Sequence, residues 1–247
     1  MNVLAIGVHM DDCEYAAGGT IKLLAEKGAN VTLLNIIPYK DNNGRNEEAD
    51  AQSVRAAEIL GAKKITLEYD ECKFYKNNEK TVRMTEQVIC ETKPDIIFIM
   101  HPKDNHIEHV ECALTCKDAI FAAAVSGVSP NEVYTYETGP RQSMCYFVPD
   151  VYIDVSSAKE TLKESMYAFG SDNASGAWLW KEKEICARFR AHESFGGSGA
   201  TLAEGFCILK YPKGNNDFLL RSFLQDFFRW GGTPMYHQNA DMFFYSK

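Results

Sequence analysis

Six consecutive residues near the start of the chain, His9-Met10-Asp11-Asp12-Cys13-Glu14, put one imidazole and three carboxylates behind a short apolar run, Val3–Val8. Neighbouring carboxylates at the end of a buried strand are costly to place, because each charge must be paired or desolvated. The plainer alternative is a helix start, with Asp at the N-cap and Glu in the first turn. A second cluster, His101-Pro102-Lys103-Asp104-Asn105-His106-Ile107-Glu108-His109, follows the most strand-like run, Asp95–Met100, and holds three of the six histidines. If a helix opens here, His106 and His109 share a face about 5–6 Å apart. That spacing suits one metal ion, or one ligand beside one proton-handling neighbour; the plainer alternative is a solvated helix entry. His9 and Asp12 are three apart, so a turn brings both to one ion and leaves Asp11 to the side, where a general base belongs. Two histidines and one carboxylate, with positions left for water and substrate, make a catalytic rather than a structural zinc set. A metal in such a set lowers the pKa of its water toward ~7.

The elements that position these clusters alternate between strand and helix. Val3–Val8 reads as a buried strand, and helical spacing runs from Thr20 until Gly28 stops it. Val31–Ile37 is the second strand, and Asp41–Arg45 is a polar turn-rich loop. Glu47–Leu60 is a helix closed by Gly61, Lys64–Leu67 a weak third strand, and Val82–Glu91 a helix ended by Pro94. Asp95–Met100 is then the fourth strand, followed by an alanine-rich helix through about Val125. This alternation predicts a Rossmann-like α/β fold with a mostly parallel sheet and helices on both faces. In a doubly wound sheet the first and fourth strands are neighbours whose carboxyl ends open into the ligand crevice. Both clusters therefore belong to one crevice. Beyond Pro149 the expected elements are a strand at Val151–Val155 and helices at Ala158–Phe169 and Lys181–Ala191. No repeat or long linker divides the chain, so 1–247 is read as one domain with an elaborated C-terminal third.

Composition narrows the function classes. With 247 residues, 45% hydrophobic and 24% charged, the chain can build a sizeable core and is not a disordered one. The balance of 26 Lys+Arg against 34 Asp+Glu, a net charge of −8, argues against a nucleic-acid binder. No apolar run approaches the ~20 residues of a membrane span, and no basic leader precedes the first strand. Eight cysteines without paired spacing (Cys112 and Cys116 are four apart) read as free thiols in a reducing, cytoplasmic setting. Gly196–Gly199 lacks the Lys-Ser/Thr of a phosphate loop. His192 and His237 read as surface or core histidines, and Arg188, Arg190 and His192 as a solvated helix face. The aromatic run Phe218–Trp230 is expected in the core or against a second subunit of a homo-oligomer.

The two clusters together resemble the PIG-L/LmbE-like family of zinc-dependent N-acetylglucosamine deacetylases. Its Ala-His-Pro-Asp-Asp-x-Glu motif stands here as Val8–Glu14, and its Gly-Gly-Thr continuation as Gly18-Gly19-Thr20. Its His-Pro-x-Asp-x-His-x-Asp-His motif stands as His101–His109, and a weaker Ala-Glu-x-Phe element as Ala203–Phe206. The resemblance covers about residues 1–125. It implies that His9, Asp12 and His109 bind Zn²⁺ or another divalent ion such as Fe²⁺, and that Asp11 is the general base. It further implies that His106 is the second catalytic histidine, cationic to stabilise the oxyanion, and that Glu108 orients it. The implied reaction is hydrolysis of an N-acetyl group from a small-molecule amino sugar or its conjugate. Four positions depart from the family pattern: Met10 replaces Pro, Glu108 replaces Asp, and Ala49 and Gln52 replace the family's Arg-x-x-Glu pair. Sugar contacts are therefore expected to differ. Two other classes fit the residues: a 2-His-1-carboxylate non-haem iron oxygenase, and a non-catalytic sugar-binding protein retaining the pocket.

Overall fold

The computed structural model describes residues 1–41, 44–69, 74–139, 147–170, 174–195, 199–212 and 217–231. Strand β1 (Asn2–Gly7) leads into helix α1 (Asp12–Glu26), and β2 (Asn30–Asn35) follows. A small hairpin, β3 (Lys40–Asp41) and β4 (Gly44–Arg45), occupies the expected polar loop. Then come α2 (Glu47–Ile59), β5 (Lys63–Thr66), α3 (Glu79–Thr92), β6 (Ile96–Met100), α4 (Ile107–Val125) and β7 (Glu132–Tyr136). The last third adds β8 (Val151–Asp154), α5 (Lys159–Tyr167), α6 (Ala174–Phe195), β9 (Ala203–Lys210), α7 (Leu219–Leu224) and β10 (Phe228–Trp230).

The main sheet has the order β10-β8-β9-β7-β6-β1-β2-β5. From β5 to β7 every pairing is parallel, and β9 and β10 join antiparallel. β1 and β6, the predicted first and fourth strands, lie side by side with Val3 opposite Ile96 and Ile6 opposite Ile99. Both are nearly continuous apolar runs because helices cover them on two faces. α1 packs on β1 from a group with α2, α5 and α6, whereas α3 and α4 pack on each other and on β1. One buried cluster runs from Val3 through Phe98 and Tyr134 to Leu162, Phe206 and Phe228, so the C-terminal third shares the core of the first half.

Differences from expectation have local causes. Asn78 caps α3 by accepting from Thr81 N at 3.1 Å, so that helix starts three residues earlier than its apolar periodicity suggests. α6 is twice the expected length, because its first two turns, rich in Trp and Gly, carry no clear period. β7 opens with a charged residue, Glu132, which no apolar pattern marks as strand; it is fully buried and accepts from Tyr134 Oη (2.9 Å), Leu219 N and Leu220 N (3.2 Å). That carboxylate serves the first turn of α7. The aromatic run packs on the body: Leu220, Leu224 and Phe228 are buried, and β10 pairs with β8. His237 and 196–198 lie outside the described residues.

Two sequence motifs without chemistry prove to be one structural device. A Cβ on Gly19 would lie 2.5 Å from Val155 Cβ, so only glycine lets α1 approach the end of β8 this closely. Glu204 on β9 accepts from Gly19 N (2.9 Å), Thr20 N (2.8 Å) and Thr20 Oγ1 (2.6 Å) and pairs with buried Lys183 of α6 at 2.6 Å. One buried carboxylate thus ties α1, α6 and β9 together.

Candidate metal and active site

Where β1 ends, the chain turns sharply into α1. A Cβ on Gly7 would lie 2.7 Å from Asp12 Cβ, so the turn needs glycine there. Asp12 Oδ2 closes it by accepting from Val8 N (3.0 Å) and His9 N (2.7 Å). Lacking the family's proline, the turn is held at the Met10 carbonyl, which accepts from Lys64 Nζ (2.9 Å) and Ser53 Oγ (3.0 Å). Lys64 is itself buried against Glu14 at 2.7 Å. The third carboxylate of the first cluster is therefore the partner of a lysine beneath the site.

Where β6 ends, Asp104 organises the second cluster. Its Oδ1 accepts from His106 N at 2.7 Å, at the entry of α4. Its Oδ2 accepts from Thr138 Oγ1 (2.6 Å) and faces His109 Nδ1 at 3.0 Å. An ionised carboxylate only accepts, so the His109 proton sits on Nδ1 and the Nε2 lone pair is left toward Asp12 Oδ1, 3.5 Å away. His9 repeats the arrangement. Its Nε2 meets Glu108 Oε2 at 3.0 Å, and its Nδ1 lies 3.5 Å from Asp12 Oδ2. One ligand atom from each of His9, Asp12 and His109 falls within 4.8 Å of the others. Ligating histidines characteristically donate their outer nitrogen to a carboxylate in this way, and the donor set suits a catalytic divalent ion.

His106 joins the same cluster. Its ring stacks on His109 at 4.3 Å between centroids and meets His9 edge-on at 5.1 Å. The expectation that Glu108 orients His106 does not hold. His106 is the extended N-cap of α4, whereas Glu108 lies in the first turn. From there Glu108 gives Oε2 to His9, and its Oε1 accepts from Tyr75 N at 2.6 Å. His106, His9 and Glu108 form a second set of atoms within 4.8 Å. His101, the remaining histidine of the cluster, bonds Thr135 at 3.0 Å and packs on Phe147, away from these groups.

The electrostatics favour positive charge between the carboxylates. Burial alone would lower the His9 pKa, but Asp12 and Glu108 outweigh it and the imidazole is pushed up to about 10. Burial opposes ionisation of Asp12, yet His109 and His9 hold it below the usual carboxylate range. Asp11 moves the other way: burial, and then the charge of Asp12, push it up. Burial and the neighbouring histidines push His106 down. A cleft of about 300 Å³ exposes these groups, lined by Asp11, Asp12, His106, His109, Tyr15 and Trp178 among others.

All six residues singled out in the sequence thus meet at one place. Asp104 and Thr138 had no assigned role; Asp104 stood inside the second motif, and Thr138 arrives from the end of β7 with no sequence signal. Arg190 is not on a solvated face. It is buried in a bidentate pair with Glu137 (2.6 and 2.7 Å), the residue before Thr138, while Arg188 is exposed beside Glu184 and His192 is exposed. Among the described residues, no helix is long and apolar enough to cross a membrane.

The family model described as PIG-L, GlcNAc-PI de-N-acetylase, matches residues 4–120. The diacetylchitobiose deacetylase of Thermococcus kodakarensis is 24% identical over 207 residues, covering 72% of this chain and 73% of that protein. A probable N-acetyl-alpha-D-glucosaminyl L-malate deacetylase 2 of Bacillus cereus is 27% identical over 128 residues, 44% of this chain and 56% of its own. Among solved structures, the 4-carboxy-2-hydroxymuconate hydratase GalB of Pseudomonas putida superposes with a TM-score of 0.73 at 19% identity, covering 88% of this chain and 99% of that one. The N,N′-diacetylchitobiose deacetylase of Pyrococcus horikoshii gives 0.65 at 20% identity, with 84% and 83% covered. At such identities the solved structures establish the fold alone. The family match spans the motifs at both strand ends, and across residues 4–120 the chain is similar to the PIG-L de-N-acetylases.

Proposed function

We propose that the protein is a divalent-metal N-deacetylase that hydrolyses the acetamido group of an N-acetylated amino sugar or conjugate. The observation that carries this reading is the pair of carboxylate-held histidines, His9 on Glu108 and His109 on Asp104, both aimed at Asp12 with Asp11 alongside. His9, Asp12 and His109 would hold the ion. When bound, Zn²⁺ or a similar ion supplies Lewis acidity toward water and toward a carbonyl oxygen.

The chain's own residues handle the protons. Asp11 takes one from the attacking water, and burial, by raising its pKa, makes it a stronger base than an exposed carboxylate. The same carboxyl then returns a proton to the nitrogen as the C–N bond breaks, giving acetate and the free amine. His106, its pKa lowered and its ring bonded to no carboxylate among the described residues, acts as a neutral N–H donor to the oxygen where charge develops. The cationic form expected from the resemblance would need a partner that Glu108 does not provide.

The fold alone does not choose this chemistry, since a hydratase shares it. The deciding experiment measures acetate release from N-acetylated amino sugars, under anaerobic conditions, with and without Zn²⁺. Zinc-dependent release without oxygen supports the deacetylase reading over an iron oxygenase. A metal-loaded protein that releases no acetate across the panel would overturn it and leave a binding protein.

A further inference from the structure

Beyond Asp11 the site continues into a groove of about 480 Å³. It shares Asp11, Trp178 and Leu179 with the cleft at the metal residues, and Met10 and Tyr39 with a neighbouring cleft on the other side of His9. Two aromatic rings line it half in water: Tyr39, after β2, is 49% exposed and Trp178, on α6, is 47% exposed. From α2 come Glu48, Ala49 and Gln52, so the two positions that depart from the family's Arg-x-x-Glu pair lie in this groove. The charged residues that line it are Asp11 and Glu48, and among the described residues none of its lining is Lys or Arg. Nearby Arg45 is engaged by Asp50 and Glu68, and Lys64 is buried against Glu14. Lys40 lines the neighbouring cleft, not this one.

Resting on the deacetylase reading, we infer that this groove is a subsite for an uncharged second ring of the substrate, a further pyranose, and that it disfavours conjugates bearing phosphate or carboxylate there. Aromatic rings present large apolar faces with low conformational entropy, and the axial C–H face of a pyranose is the surface that such rings cover. Gln52 and Glu48 offer an amide and a carboxylate to the hydroxyls of that ring. An anionic group in the same place would face two carboxylates without a cation among the described lining residues, and like charges in a partly desolvated cleft repel. Specificity then comes from the repulsive element as much as from the stacking surface.

Three substrates separate the possibilities: N,N′-diacetylchitobiose, N-acetylglucosamine and N-acetylglucosamine 1-phosphate. In the metal-loaded protein, kcat/KM for acetate release should rank disaccharide above monosaccharide above phosphate. Trp178→Ala should cut the disaccharide-to-monosaccharide ratio about tenfold, the worth of one good aromatic contact, and Trp178→Phe should restore most of it. Gln52→Arg should raise the phosphate relative to the disaccharide. Equal or better turnover of the phosphate in the wild type, or a ratio unmoved by Trp178→Ala, would overturn the inference. If none of the three releases acetate, the deacetylase reading has failed, and calorimetric binding of the same compounds then judges the groove independently. A disaccharide bound more tightly than the phosphate keeps the subsite; equal binding removes it.

Discussion

Asp104→Asn changes one oxygen to an amide nitrogen and tests how the metal residues are tuned. The substituted side chain keeps an oxygen for His106 N, the bond at 2.7 Å, so the entry to α4 survives. At the other atom an N–H₂ now faces His109 Nδ1, previously 3.0 Å from a carboxylate oxygen. Two donors cannot share that contact, so the His109 proton moves to Nε2 and occupies the lone pair aimed at Asp12. Disturbing such an outer carboxylate costs roughly 10–100-fold in metal affinity, or about 1.4–2.8 kcal/mol. Replacing a hydrogen bond to a charged group by a neutral one lowers the stability of the metal-free protein by a further ~1–1.5 kcal/mol. Chelator competition gives the affinity, and thermal melting of the metal-free protein gives the stability term separately. Unchanged Zn²⁺ affinity beside a lowered melting temperature would refute the reasoning, leaving Asp104 a cap for α4 and nothing more.

Asp11→Asn should keep its metal while turnover falls roughly 10²–10⁴-fold, the range of a general base; metal analysis beside acetate release checks both halves. The folded pKa of Asp11 is raised, so activity needing its ionised form is present above that pKa and lost as pH falls through it. The acidic limb of the wild-type kcat/KM profile should vanish in the Asn variant, and a persisting limb would assign it to another group. Glu204→Ala leaves Lys183 buried without its partner, which costs about 3–5 kcal/mol, and at 2–4 °C per kcal/mol should lower the melting temperature by roughly 6–20 °C. Gly19→Ala puts a methyl 2.5 Å from Val155 Cβ and should cost about 1–3 kcal/mol by overpacking, read from urea denaturation; a neutral effect would mean that β8 yields easily.

How much of this was legible in the sequence depended on whether a residue's partner lay nearby. β1 and β6 are short but nearly continuous apolar runs, and the rule for parallel sheets makes them neighbours, so the meeting of His9–Asp12 with His106–His109 followed from pattern alone. The hydrogen bonds inside the site did not. Glu108 reaches His9 across 99 positions, and Thr138 reaches Asp104 across 34; spacing along a helix cannot announce either. Glu14 looked like a site carboxylate because its lysine partner, Lys64, is fifty residues away. β7 and β9 carry buried Glu132 and Glu204 among their apolar residues; Glu132 is satisfied by Tyr134 and by the distant backbone of Leu219 and Leu220, and Glu204 by Gly19, Thr20 and Lys183, partners that strand periodicity does not announce.

The claim on which the rest depends is that one divalent ion sits among His9, Asp12 and His109. Anomalous diffraction from crystals of the zinc-loaded protein tests it most directly. A single peak within coordination distance of His9 Nδ1, an Asp12 oxygen and His109 Nε2, with Glu108 still on His9 Nε2, is the predicted result. A peak held instead by His9 Nε2, His106 and Glu108 would contradict it.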